Sequence, residues 1–350
     1  MGQAVTIGLD IAKSVFQLHG VGEDGSVVLR KRLRRGELLA FFAKLRPCLI
    51  GIEACGSAHH WARELARLGH TVRLMAPIYV KPYLKRGKND AVDAEAICEA
   101  LTRPTMRFVA VKSEEQQAVL ILHRARALLV RQRTMLVNAL RAHLAEFGII
   151  TAQGIDRMAE LVARVLGPEA DENAIPSLVR SVVGAYNAQL DALQAQIDSL
   201  EEKIKAWHRT SDDSRRLASI PGVGMITATA LAATIQNAAE FSSGRAMAAW
   251  LGLTPRQSSS GNKERLGRIT KAGNGYLRTL LVLGATAILR SAKMNCPGSL
   301  FEWVRKLLTK KPARLVSVAL ANKLARVAWA VLMKKSAYRS DALISAVSAG

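Results

Sequence analysis

Between Val5 and about Leu101, short β-like apolar runs alternate with helical segments in an order that few folds accommodate. The runs are "VTIGLDI", "VFQLHGV" and "SVVLRKRL", then a helix near Glu37 to Leu45, "CLIGIEA", a helix near His59 to Leu68, "TVRLMAP", and a helix from about Asp90. Short turns such as "GEDGS" between the first three runs predict antiparallel hairpins. The later strands are separated by helices, which predicts right-handed parallel crossovers. The expected N-terminal fold is therefore a mixed α/β sheet. After Arg103-Pro104 the β signal disappears, and Ser113 to Phe147 reads as one long helix or a kinked pair carrying Arg124, Arg126, Arg131, Arg133 and Arg141.

Between Tyr186 and Trp207, the residues Tyr186, Leu190, Leu193, Ile197, Leu200, Ile204 and Trp207 alternate spacings of four and three, the seam of a coiled coil. Two readings stay open: a helix packed on its own neighbour, or a dimer-forming arm. From Arg215 onward the pattern is again helical, with loops rich in Gly, Ser and basic residues. "LASIPGVGMITATALAATI" has the form of a helix-hairpin-helix whose turn, with Gly222 and Gly224, is able to offer backbone N–H groups to a DNA phosphate. A tight turn chosen only for packing is the competing reading. The C-terminal run "ARLVSVALANKLARVAWAVLMKK" reads as an amphipathic helix with most of its basic residues toward one face, and core packing explains it. Three regions follow: 1–110 with the sheet, 111–210 as a helical linker with the coiled coil, and 211–350 as a helical C-terminal domain.

Fifty Lys and Arg against 28 Asp and Glu give a formal net charge of +22, which calls for a polyanionic partner. Nucleic acid is preferred over a membrane. The longest uncharged run, "LASIPGVGMITATALAATIQNAA", is broken near its start by Pro221, Gly222 and Gly224 and reads as a buried hairpin. The beginning "MGQAVTIGLD" has neither a basic leader nor a long apolar stretch, so a cytoplasmic location is expected. Cys48, Cys55, Cys98 and Cys296 show no paired metal spacing and read as reduced thiols.

Against this basic background, "GKNDAVDAEAICEAL" gathers Asp90, Asp93, Glu95 and Glu99. Asp10 ends the first β run and Glu53 ends "CLIGIE". If those strands are parallel neighbours, both carboxylates emerge at the same C-terminal edge, where open α/β sheets place ligands. Asp90 and Asp93, three apart on one helical face, are able to point back to that edge. Four converging carboxylates repel unless a divalent cation lies between them, and hard oxygen donors near phosphate favour Mg²⁺. The plainer alternative is that Asp90 caps the helix and Asp93 and Glu95 sit favourably in its first turn. His59 and His60 follow Glu53 and are either ligands or members of a solvated helical turn.

"LGLTPRQSSSGNKERLGRITKAGNGYLRTLL" packs Ser258, Ser259, Ser260 and Gly261 among Arg256, Lys263, Arg265, Arg268, Lys271 and Arg278, with only Glu264 opposing. A serine hydroxyl attacks phosphorus only if its proton is taken and the developing charge is balanced. The loop supplies the cations, and the acidic site supplies the metal if two domains or two subunits meet. A flexible basic DNA-contact loop is the alternative reading.

"GLDIAK" with Asp10, "GIEACG" with Glu53, "KNDAVDA" with Asp90 and Asp93, "IPGVGMITA" and "WLGLTPRQSSSGNKERLGRITKAGNGYLR" occur in the order seen in the DEDD insertion-sequence transposases. The chain resembles that group, which includes pilin-gene invertases and bridge-RNA-guided recombinases, from Ile7 to about Leu283. The resemblance implies an RNase H-like, Holliday-junction-resolvase-like N-terminal domain, a helical linker and a C-terminal transposase domain. It also implies that Asp10, Glu53, Asp90 and Asp93 form a metal-binding tetrad. It further implies that Ser260, whose neighbours Ser258 and Ser259 are alternatives, becomes covalently joined to DNA. In such a family a structured RNA pairs with donor and target DNA, and a dimer assembling into a tetramer is expected. The leading expectation is thus a DNA transposase or site-specific recombinase using Mg²⁺, with Arg256, Lys263, Arg265, Arg268, Lys271, Arg278, Gly222 and Gly224 contacting nucleic acid. A metal-dependent junction nuclease and a non-enzymatic nucleic-acid-binding protein are the alternatives.

Overall fold

The connections after the first two strands are so short that the chain has to reverse on itself. Strands β1 (Thr6–Ile11), β2 (Val15–Val21) and β3 (Val27–Arg34) form an antiparallel meander. At the second turn Gly25 takes φ 78°, and the Asp24 carboxylate accepts from the Ser26 amide at 3.0 Å and its hydroxyl at 2.7 Å. The chain then passes through α1 (Leu38–Phe42) to β4 (Leu49–Glu53), which runs parallel to β1. Helix α2 (Ala58–Arg67) leads to β5 (Thr71–Met75), parallel to β4. After α3 (Pro77–Val80) and α4 (Asp90–Leu101), β6 (Phe108–Val109) closes the edge antiparallel to β5. The six-stranded order is β3-β2-β1-β4-β5-β6. The mixed sheet is as expected, except for β6: its two residues are too few to show any alternation.

A computed structural model describes residues 3–85, 90–168, 175–258, 265–293 and 298–339, with the backbone alone at Asp90, Ala91, Ala292 and Lys293. The chain divides into two compact units, Met1–Ser113 and Glu114–Gly350.

In the first unit the pleat sorts side chains onto two faces. Ile7, Leu9, Phe16, Leu18, Leu33, Ile50 and Ile52 join Leu38 and Phe42 of α1 and Trp61, Ala62 and Leu65 of α2 in one buried cluster. On the opposite face lies α4, whose Ala96, Ile97, Ala100 and Leu101 pack with Met75. It lies so close that a Cβ on Gly8 would stand 2.1 Å from the Ala94 carbonyl oxygen and 2.5 Å from the Cys98 nitrogen. At Gly51 a Cβ would meet the Leu101 side chain at 2.9 Å and Met75 Cε at 3.0 Å. Gly8 needs glycine because helix backbone occupies the space, whereas at Gly51 the obstructing atoms are side-chain ends.

The second unit begins with α5 (Glu114–Ala145), α6 (Met158–Leu166) and α7 (Ser177–Thr210). Helices α5 and α7 run antiparallel. Trp207 Nε1 donates to Glu115 at 2.6 Å, Arg126 Nε to Glu201 at 2.7 Å, and the His143 and Tyr186 rings lie 6.1 Å apart. The seam residues Leu190, Leu193, Ile197 and Ile204 are buried within the chain, as a helix packed on its own neighbour requires. Next come α8 (Asp212–Ala218), α9 (Met225–Thr234) and α10 (Gly244–Trp250). They are followed by β7 (Pro255–Gln257), β8 (Leu266–Ile269), α11 (Gly275–Lys293), α12 (Ser299–Leu308) and α13 (Ala313–Lys334).

The β7–β8 hairpin forms where the sequence reads as a basic, serine-rich loop between helices, because short strands rich in Arg and Gly carry no apolar alternation. The expected boundary near 210 falls inside this unit, since α5 packs on α9: His123 lies 3.0 Å from Thr229 Oγ1 and 3.1 Å from the Tyr276 hydroxyl. Among the described residues α13 is the one helix long and apolar enough to cross a membrane. Its Val316, Leu320, Leu324, Val327 and Val331 are instead buried in the core of this unit.

Gly8→Ala is expected to cost about 3 kcal/mol, because the obstructing atoms are helix backbone, and Gly51→Ala about 1 kcal/mol, because side-chain ends are able to move. Urea unfolding followed by circular dichroism measures both. Burial and the nearby Arg126 depress the His123 pKa from 6.5 to about 4, so the stability it contributes is complete above pH 6.5 and is lost as pH falls. His123→Gln should flatten that loss, roughly 3 kcal/mol between pH 6.5 and 4 in the parent chain.

Candidate active site

Residues two apart in a strand share a face, so the glycines that admit α4 also decide where the acids point. Gly8 and Asp10 lie on one face of β1, and Gly51 and Glu53 lie on the same face of β4. The parallel register pairs Gly8 with Gly51 and Leu9 with Ile52, which carries Asp10 and Glu53 to adjacent positions at the C-terminal edge. Above them runs α4, with Asp93 one residue before the Ala94 carbonyl that crowds Gly8. Burial raises the Glu53 carboxyl above its ordinary value of 4.5, and the charge of Asp93 raises it further. Three of the four predicted acids therefore share one neighbourhood: Asp10 and Glu53 by register, and Asp93 by its electrostatic effect on Glu53.

The Asp90 side chain lies outside the described residues, although its backbone starts α4 on the same helix. The donor set is all carboxylate oxygen, which suits a hard divalent cation, and a cation there would cancel the repulsion that raises Glu53. Among the described residues no three His, Cys, Asp or Glu side chains already converge as an ion cage. His59 and His60 belong to α2, on the other face of the sheet. There His59 Nδ1 accepts from the Lys112 amide at 3.2 Å and the His60 ring packs edge-on to Trp61.

In the second unit, Pro255 pairs with Ile269 and Gln257 with Leu266. The hairpin is extended by the Ser258 amide donating to the Arg265 carbonyl at 3.0 Å and the Thr270 amide to the Thr254 carbonyl at 2.9 Å. Ser258 is exposed, as are Arg256, Arg265, Arg268 and Lys271. Ser259, Ser260, Gly261, Lys263 and Glu264 lie outside the described residues. Arg278 is engaged differently: its guanidinium donates to the Ala272 carbonyl at 2.8 Å and the Leu251 carbonyl at 3.0 Å, fastening the base of the hairpin. Lys271 holds φ 56°, a left-handed conformation that exacts a local cost, next to Gly273 at φ 64°.

The Pro-Gly-Val-Gly turn joins α8 to α9. Gly222 takes φ 78° and touches α11, where a Cβ would stand 2.6 Å from Ile288 Cδ1 and 2.9 Å from the Gly284 oxygen. Packing alone thus demands glycine at 222. Gly224, by contrast, faces open space at the start of α9.

The sheet face also holds residues that the motifs of the sequence do not single out. Gln17 pairs with Asp10 and with Arg32, and His19 with Gly8 and Arg30, so arginines stand in the same rows as the acids. The alternating arginines of "VVLRKRLRR" are the available signal.

Comparison with known proteins now gives these features a class. Residues 7–149 match a transposase family model of the DEDD, IS110 type, and residues 214–297 match the model described as "Transposase IS116/IS110/IS902 family". A probable family 20 transposase of Pseudomonas aeruginosa is 49% identical over 334 residues, covering 95% of this chain and 98% of its own. A putative transposase of Sinorhizobium fredii is 47% identical over 96% of this chain and 86% of its own. The transposase for insertion sequence element IS1111A of Coxiella burnetii is 41% identical over 96% of this chain and 92% of its own. An α/β sheet with acids at its C-terminal edge, joined in one chain to a basic helical unit, is thus the architecture of a DNA transposase. The chain belongs to the IS110 family of insertion-sequence transposases, whose members cut and rejoin DNA. Membership of a DEDD family also implies dependence on a divalent metal.

Because the Glu53 pKa is raised in the fold, the stability it contributes is complete below about pH 4.5 and is lost as pH rises. Glu53→Gln should therefore have a Tm equal to the parent near pH 4 and higher at pH 7 to 8, read by thermal scans across pH. Added Mg²⁺ should raise the parent Tm at neutral pH and leave the Glu53→Gln variant unmoved. A variant less stable than the parent at pH 7 contradicts the charge assignment.

Proposed function

We propose that the chain recombines DNA through a covalent phosphoserine intermediate, with Asp10, Glu53, Asp90 and Asp93 holding Mg²⁺. The observation that carries this reading is the parallel register that sets Asp10 beside Glu53 at the C-terminal edge of the sheet, with the charge of Asp93, on α4, acting on Glu53. A metal held by Asp10, Glu53, Asp90 and Asp93 would supply Lewis-acid stabilisation of the charge that develops on the reacting phosphate oxygens. Ser260 Oγ bonds to phosphorus as one bridging P–O bond of the strand breaks. The serine loses its proton, and the departing oxygen gains one and becomes a free hydroxyl end. Rejoining reverses these bond changes with a hydroxyl from the partner strand, releasing Ser260 intact.

Arg256, Lys263, Arg265, Arg268 and Lys271 hold the phosphate through charge-assisted hydrogen bonds, and Arg278 keeps the hairpin base in place for them. Gly224, with Gly222 shaping the turn, presents the first amides of α9 to the DNA backbone. A net charge of +22 also suits a structured guide RNA from the element, with sequence choice delegated to base pairing. Synapsis of two DNA partners requires several active sites, so a homodimer assembles into a tetramer. The carboxylates and the serine act on one scissile phosphate in that assembly.

Ser260→Ala should abolish covalent protein–DNA adducts on denaturing gels. Adducts that persist in it move the nucleophile to Ser258 or Ser259, and cleavage with only free DNA ends in the parent chain favours a junction nuclease. Asp10→Asn should remove cleavage by at least about a thousandfold while the Tm stays within a few degrees, since general electrostatic and metal contributions of this size are typical.

A further inference from the structure

The acids occupy one end of two rows that cross the sheet, and the other end of each row is cationic. In one row stand Glu53 on β4, Asp10 on β1, Gln17 on β2 and Arg32 on β3. In the next row on the same face, two residues along each strand, stand Gly51, Gly8, His19 and Arg30. All of these lie on the α4 face, because the alternate residues Leu9, Leu18, Leu33 and Ile52 are buried in the cluster beneath the other face. Strands lie ~4.8 Å apart, which sets Arg32 about 10 Å from Asp10.

A cleft of about 380 Å³ opens on this side, lined by Gln17, His19, Arg30, Arg32, Val92 and Glu95. Leu18 and Lys31 border it too, but Leu18 is buried in the opposite core and the Lys31 ammonium sits 4.8 Å from the centroid of the Phe41 ring. Glu95, the one acid in the cleft lining, is bonded to Lys85. Arg30, Arg32 and Arg34 are exposed, and among the described residues none of their guanidinium groups forms an ion pair with a carboxylate. A cluster of carboxylates repels a polyanion, so a strand brought to it has to be held by cations alongside. Guanidinium forks match phosphate oxygens in shape and charge.

We infer that Arg30 and Arg32, with the Gln17 amide between Arg32 and the acids, bind the phosphates next to the scissile one on the DNA strand being cut. This inference rests on the carboxylates being the cutting site. The strand runs across β1, β2 and β3 at that edge, from the acids toward the arginines. Arg30 and Arg32 act in binding and positioning and leave the chemical step to the groups named above.

The test uses the full chain and a fluorescein-labelled DNA duplex spanning the element's end, with binding read by anisotropy over a salt series in EDTA, where metal is absent. The double variant Arg30→Ala/Arg32→Ala should bind about tenfold or more weakly and lower the slope of log K against log salt by about 2, one for each phosphate that is no longer neutralised. Lys31→Ala, which removes the same charge from the same strand on its other face, should change binding by less than about twofold. Arg32→Gln alone should lower the slope by about 1 and serves where the double variant fails to fold. An equal loss in Lys31→Ala, or unchanged binding in the arginine variants, overturns the inference. So does a loss confined to a labelled RNA transcript of the element's flank, which would assign the row to RNA. Cleavage by Asp10→Asn reports separately on the carboxylates: retained cleavage there rejects the cutting site, while the EDTA comparison still decides whether the arginines grip DNA.

Discussion

The approach of α4 to β1 at Gly8 is the contact on which the rest of the N-terminal unit depends. A helix backbone standing 2.1 Å from where a Cβ would be leaves no room for any other residue. Because side chains alternate along a strand, a glycine that admits the helix also places the residue two further on under its N-terminal turns. At Gly51 the neighbours are the Leu101 and Met75 side chains, which are able to move, and Glu53 comes to the same edge through the pairing of β4 with β1.

That arrangement sets stability against chemistry. Burial and a neighbouring carboxylate both disfavour the ionised form of Glu53. Without a cation the site is electrostatically strained, and under the proposed function the metal that would relieve the strain would also serve the chemistry. The basic residues lie on exposed strands and on a hairpin, where their solvation costs little. Arg278 differs from its neighbours in bonding two backbone carbonyls, which makes it part of the hairpin's support.

The second unit shows how the same residue types serve different ends. The stripe from Tyr186 to Trp207 has the spacing of a coiled-coil seam, yet α5 covers it within the chain through Arg126–Glu201 and Trp207–Glu115. Glycine at 222 looks like a phosphate-binding turn, and its positive φ and contact with Gly284 also make it a packing residue. The long apolar α13 owes its composition to burial from several sides.

Much of this is legible in the chain by itself. Short turns dictate the β1–β2–β3 meander, intervening helices dictate the parallel pairing of β1, β4 and β5, and a charged residue ending an apolar strand marks Asp10 and Glu53, because these signals are local in the chain. The two-residue β6 and the arginine-rich β7–β8 hairpin carry no periodicity, so nothing in the sequence announces them. Which face each acid occupies, that His59 and His60 belong to the other face, and that Arg30 and Arg32 stand in rows with the carboxylates were decided by strand register. Register joins residues far apart in sequence through hydrogen bonds between strands, and a slip of one residue would turn every one of these side chains to the opposite side.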